Sequence, residues 1–342
     1  MIRAQRIGGL VAAFGLGFLA SCGGGDAAPS AGAPSTSELG LLIAGSPAVP
    51  EFVSNMVDAP ERVAHGGVRR VEYHLAVAGV PGSLVYDERV TADGQGRYAI
   101  EPIAVASPAM NVPQRELFEE LQRARQGFFF KYRDLRVRGL DLFLQNYLVQ
   151  VLASAPVIAG VECVEIQITP RNGPARSYQL AIEARSGLVL RSIERDGGGT
   201  TIASTTYLEF TREPVLAGVE FHVERFPGTP LATAALSAGA APAAPSVLPV
   251  GYREVSSEVV QLAGTTYIRR VYGDGLENVF FLERVAATLP TSQVTVAVPK
   301  LTVRMSELGP FRIAEVVRGG GSFFLVGKIS ETDVLEILRS AL

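Results

Sequence analysis

The chain has 342 residues, 47% hydrophobic and 19% charged, with 31 Lys and Arg against 34 Asp and Glu, a net charge of −3. That balance lacks the broad basic field of a nucleic-acid-binding protein. The apolar fraction is ample for packed cores, the length suits two domains, and the abundance of Val, Ile, Tyr and Thr tilts the chain toward β-structure.

The N-terminus carries Arg3 and Arg6, then an apolar run from Ile7 to Ala20, then Leu19-Ala20-Ser21-Cys22. This is the charged, apolar, small-residue layout of a secretory signal, too short for a comfortable transmembrane helix. A cysteine at the cleavage position resembles the lipobox of bacterial lipoproteins. That resemblance implies that residues 1–21 are a signal peptide and that Cys22 is acylated and becomes the mature N-terminus. Loss of the two signal arginines takes the net charge to −5. Residues 22–48 form a Gly/Ala/Pro/Ser tract, read as a flexible tether. Gly23 in place of the inner-membrane retention Asp favours the outer membrane.

The body begins near Pro50. Phe52, Val53, Met56 and Val57 have the spacing of a short helix. From Val68 the period becomes two, through Val71, Tyr73, Leu75 and Val77. Pro81-Gly82 and residues 92–96 punctuate further strands at 84–90 and 98–100, an antiparallel meander. Pro113 opens an amphipathic helix with Leu117, Phe118, Leu121 and Ala124 on one face. An aromatic strip follows: Phe128, Phe129, Phe130, Tyr132, Leu140, Phe143 and Tyr147. Two readings fit it, ordinary core packing and the lining or cover of an apolar ligand cavity. Strands return at 147–152, 161–169, 178–183, 188–195, 200–210 and 221–223, with turns at Gly160, Asn172-Gly173, Ser186-Gly187 and Asp196-Gly197. Residues 229–247 are an uncharged Ala/Pro/Ser tract, read as an interdomain linker. Beyond it, strands are expected at 252–262, 266–272, 279–285, 294–298, 311–318 and 323–326. A terminal helix is expected to carry Ser330 as N-cap, Asp333 in the capping box, and Ile329 with Val334 as staple.

The chain contains no Cys-x-x-Cys, H-E-x-x-H, Walker or G-x-S-x-G motif. His65, His74 and His222 are not spaced as metal ligands, and each reads as a surface or satisfied histidine. Cys163, the one other cysteine, alternates with polar neighbours and reads as a small buried hydrophobe. Gly197–Gly199 and Gly319–Gly321 lie between strands and read as hairpin turns, since a phosphate loop should open a helix. Glu162 with Glu165, and Glu183 with Arg185, read as surface pairs. No enzyme activity, cofactor or metal is expected.

Several segments resemble the MucB/RseB family. They are Asn146-Tyr147-Leu148-Val149, Ala159 to Ile166, Ile168-Thr169-Pro170, Tyr178-Gln179-Leu180, Ser186 to Ser192, Leu248 to Arg253 and Val271 to Phe281. They occur in family order on both sides of the linker. Val161 stands where the family's A-G-R strand has arginine. The lipobox also departs from members that are soluble periplasmic proteins. The resemblance implies an α+β architecture. Residues 49–228 would be a LolA/LolB-like N-terminal domain, a curved antiparallel half-barrel sheet covered by helices over an apolar cavity. Residues 248–342 would be a smaller C-terminal antiparallel sheet with a terminal helix. It implies a periplasmic regulatory protein of envelope stress signalling that binds the periplasmic domain of an anti-sigma factor and responds to a lipid or lipopolysaccharide-like ligand. A lipid or lipoprotein carrier is the alternative.

Overall fold

A computed structural model describes residues 50–77, 80–105, 134–173, 176–221, 229–230, 243–262, 265–284, 303–308, 311–318 and 321–342. The signal, the lipobox Cys22, the tether, the helix expected from Pro113, and the strand expected at 294–298 lie outside them. The fold is α+β, and the chain divides into two compact units near Arg225.

The first unit opens with two short helices, α1 (Glu51–Asn55) and α2 (Ala59–Arg62). Pro60 in the first turn of α2 costs no hydrogen bond, because the first helical N–H groups have no intrahelical partner. The strands are β1 (Ala64–Val77), β2 (Val80–Asp93), β3 (Tyr98–Val105), then after helix α3 (Leu140–Asn146) β4 (Tyr147–Val151), β5 (Val157–Ile158), β6 (Val161–Glu162), β7 (Val164–Pro170), β8 (Ser177–Glu183), β9 (Leu188–Arg195) and β10 (Thr201–Thr211). Eight of them form one open antiparallel sheet in the order β3-β2-β1-β10-β9-β8-β7-β4. The alternation read in the sequence decides which face is buried. Val71 and Tyr73 of β1 are buried, while Arg70, next to Val71, points the other way and forks onto Asp87 of β2 at 2.9 and 3.2 Å.

One expected strand is two. At Cys163 the run 161–169 breaks, so that β6 turns back on β5 as a separate hairpin and β7 alone joins the sheet. The hairpin's two-residue turn has positive φ at Ala159 (48°) and Gly160 (80°), the geometry that matches strand twist. Gly197–Gly199 form the β9–β10 turn, where Asp196 accepts the N–H groups of Gly198 and Thr200, each at 2.9 Å.

The second unit is a seven-stranded antiparallel sheet in the order β11-β12-β13-β14-β17-β16-β15. Its strands are β11 (Thr229–Pro230), β12 (Arg253–Leu262), β13 (Thr265–Gly273), β14 (Asn278–Arg284), β15 (Val303–Leu308), β16 (Phe311–Arg318) and β17 (Gly321–Gly327). The terminal helix α4 (Glu331–Ala341) starts at Ser330 with the expected capping box: Asp333 N–H donates to Ser330 Oγ at 3.1 Å, and Ser330 N–H to Asp333 Oδ2 at 3.2 Å. Val334, Ile337 and Leu338 of α4 pack with Ile329 on Tyr272, Val279, Phe281, Ala314, Val316 and Leu325 of the sheet. The staple pair Ile329 and Val334 shares that core. Residues 243–248 lie against the same core, with Ala243 and Leu248 packed on it.

Candidate binding face of the first sheet

In an antiparallel sheet, residues directly opposite one another point to the same face. Following the register across the first sheet gives one row of Tyr86, Val71, Thr205, Ser192, Leu180 and Ile166, and a second of Leu84, Tyr73, Ala203, Glu194, Tyr178 and Ile168. Tyr86, Val71, Leu180, Ile166, Leu84 and Ile168 are fully buried. This inner face is mostly apolar with a tyrosine at intervals, interrupted by Thr205, Ser192 and the buried Glu194, and the Tyr73 and Tyr86 rings sit 6.3 Å apart.

Of the aromatic strip, Leu140, Phe143 and Tyr147 are described. Phe128, Phe129, Phe130 and Tyr132 lie outside the described residues. Phe143 is fully buried on α3, and its ring stacks on Tyr147, the first residue of β4, at 5.5 Å and 27°. Leu140 is half-buried three positions earlier on the helix, on the same side. Leu142, outside the strip as read, is also buried. A stacked pair of this kind contributes about 1 kcal/mol beyond its area.

The chain that leads into α3 is fixed by backbone and charge. Asp58 N–H donates to the Val137 carbonyl at 3.0 Å. Arg136 reaches Glu61 Oε1 at 2.5 Å. Arg69 of β1 donates from Nε to Glu88 Oε1 at 2.6 Å and from Nη2 to Asp134 Oδ2 at 2.8 Å. Its guanidinium lies 5.9 Å from the Tyr207 ring centroid. Arg69 and Glu88 share the parity of Val71, Tyr73 and Tyr86, so this ion pair is planted in the inner face. Sequence reading missed it, although charges at inward positions of an alternating strand were a signal. The Tyr98 hydroxyl is buried without a hydrogen bond. Burial pushes its phenol far above the ordinary range, so it stays neutral.

His65 is buried beside Tyr207 and Phe210, with both ring centroids at 6.5 Å. Burial lowers its pKa to about 4, and Nδ1 lies 2.8 Å from the Val63 carbonyl, which fixes the neutral imidazole with its proton on Nδ1. It is a satisfied core histidine. Cys163 is buried as expected, with Ile158, Ala181, Leu188 and Leu190 around it. Burial pushes its thiol up, away from the thiolate a nucleophile needs.

Two expected surface pairs are not pairs. Glu165 is buried and accepts from Ser154, from Gln179 at 2.9 Å and from Arg191 at 2.5 Å. Burial pushes its carboxyl up, but these hydrogen bonds outweigh it and hold the group below its usual range. Glu162, by contrast, is exposed. Glu183 accepts the backbone N–H groups of Arg185 and Ser186 and the Arg212 guanidinium, closing the β8–β9 turn. Among the described residues no three His, Cys, Asp or Glu are grouped to hold a metal ion.

No protein-family model matches the chain, and no curated protein matches it. Among solved structures, the chain is similar to MucB. A crystal structure of MucB in complex with MucA(peri) is 15% identical, with a TM-score of 0.46 over 85% of this chain and 96% of that one. The complex structure of Pseudomonas aeruginosa MucA/MucB is 15% identical, with a TM-score of 0.47 over 86% and 96%. MucB alone is 13% identical, with a TM-score of 0.45 over 84% and 95%.

Proposed function

We propose that this chain is a lipid-anchored binding protein of the bacterial envelope that holds the periplasmic domain of an anti-sigma factor. The observation that supports this reading is the ordered set of MucB/RseB-like motifs, five in the first unit and two in the second. Tyr147-Leu148-Val149 lie in β4, Ser186 to Ser192 form the β8–β9 turn and the start of β9, and Val271 to Phe281 span the β13–β14 hairpin. Each motif alone is a generic hairpin. Their order across two units is not generic. Cys22 and the tract behind it supply the anchor, at the outer membrane and facing the periplasm.

The test is a crosslinked pull-down of the full chain from its own cells. The expected result is one single-pass membrane protein enriched above all others. Recovery of no such protein counts against the reading.

A second reading, a carrier or sensor of acyl lipid, rests on the aromatic strip read in the sequence; an apolar ligand gains about 25 cal/mol for each Å² of apolar surface it buries. Phe143 is a poor probe of it, since a fully buried ring costs about 3–5 kcal/mol to truncate whatever its role. Phe129→Asp is the better one. If the strip lines a pocket, native mass spectrometry will show bound lipid lost from this variant while its melting temperature changes little. Equal loss of both identifies Phe129 as ordinary core.

A further inference from the structure

The uncharged tract at 229–247 has the composition of an interdomain linker, yet both of its described ends lie on the second unit. Thr229 and Pro230 form β11, paired with Val259 and Glu258 on the edge of the second sheet. At the other end, Ala243 N–H donates to Glu283 Oε2 at 2.8 Å, and the Ala243 carbonyl accepts from Arg270 Nε at 3.1 Å. Arg270 is in turn paired with Glu254 at 3.2 Å. Val247 N–H donates to Ser340 Oγ at 3.1 Å, which ties the segment to the last turn of α4. Ala243 and Leu248 are packed on the core. On the other side, the first unit holds the chain as far as Phe221, whose ring lies 4.8 Å under the Arg97 guanidinium on the β2–β3 turn.

We infer that the chain passes from the first unit to the second between Phe221 and Thr229, so that the Ala/Pro tract both leaves and rejoins the second unit. The connector from Phe221 to Thr229 is eight peptide steps, which reach about 28 Å when fully extended. A connector that ran on to Ala243 would be 22 steps, with a reach of about 75 Å. The two arrangements differ in what the tract does: in the first, its length is irrelevant to the distance between units; in the second, it sets that distance. Two anchor types hold the arrangement. The Ala243 end has charge-assisted hydrogen bonds to a carboxylate and a guanidinium. The Thr229–Pro230 end is a two-residue strand in which proline has no N–H to offer, the weaker of the two. A short connector keeps each unit at high effective concentration for a partner that grips the other. The inference rests on the chain's own anchors and not on the identity of a partner.

The test uses the full chain carrying Cys22→Ser and Cys163→Ala, spin-labelled through Arg171→Cys and Glu336→Cys, two exposed positions, one in each unit. Pulsed dipolar spectroscopy then reads the distance distribution between units. Deleting residues 232–241 is expected to leave the distribution unchanged, as is lengthening the tract with a Gly/Ser insert after Ser237, which serves if the deletion does not fold. The same insert placed after Arg225 is expected to broaden the distribution and extend its long-distance tail. A distribution that shifts or changes width with tract length overturns the inference. So does one indifferent to the insert after Arg225.

Discussion

At the scale of single residues, several of the described charged groups are buried inside the sheets. His65 carries the sharpest measurable consequence. Its folded pKa of about 4 lies below the ordinary value of 6.5, so the folded state rejects a proton that the unfolded chain accepts. The stability it contributes is complete above pH 6.5 and is lost as pH falls through the window from 6.5 to 4, an amount of about 3 kcal/mol. His65→Gln should flatten that loss. The check is the urea midpoint at pH 7 and pH 5, and an unchanged difference between wild type and variant would remove His65 as its source. Cys163 was legible from alternation alone. Glu165 was not, because its partners Gln179 and Arg191 lie 14 and 26 residues away and meet it only through β8 and β9.

At the scale of elements, the β8–β9 turn does more than reverse the chain. Gly187 has φ +78°, and a Cβ there would lie 2.1 Å from the backbone of Asn55 at the end of α1. Asn55 Nδ2 donates to the carbonyls of Ala184 and Arg185, each at 3.4 Å. The turn is therefore the seat of the first helix. Gly199 has a similar φ, +84°, with nothing within 4 Å of its would-be Cβ. Gly199→Ala should cost about 1–2 kcal/mol for the left-handed backbone, whereas Gly187→Ala should cost several more by displacing α1. Equal losses in chemical denaturation would mean that the α1 contact is not needed. Period-two alternation and turn residues made most strands legible, and Ser330 with Asp333 made α4 legible. Helix α3 was missed because it is seven residues long and its N-cap, Gly139, offers no side chain to cap it. Strand β15 at 303–308 was not read in the sequence. The break at Cys163 was missed because a hairpin as short as β5–β6 leaves the alternation intact.

For the whole molecule, the proposed attachment lies in a segment before residue 50, ahead of two separate antiparallel sheets. Among the described residues no helix is long and apolar enough to cross a membrane; the proposed anchor is Cys22. Cys22→Ser should move the protein from the membrane to the soluble fraction of the envelope without changing its melting temperature. Retention at the membrane would show a second point of attachment. The two sets of strands were legible from their spacing, whereas the tract at 229–247 read as a divider and its described ends instead lie on the second unit. The inner-face charges were not legible, since their meaning depends on which strands become neighbours. There Arg69 has a role that reaches the entire sheet. Strands β1 and β2 are 14 residues each, and Arg69 stands directly opposite Glu88. A slip of one residue would turn every side chain of one strand to the wrong face. A slip of two would keep the faces right but leave the fully buried Glu88 carboxylate opposite an apolar neighbour, at a cost of several kcal/mol. The hydrophobic pattern is blind to that second error. The ion pair is the key that fits only one alignment, and the six strands beyond inherit it.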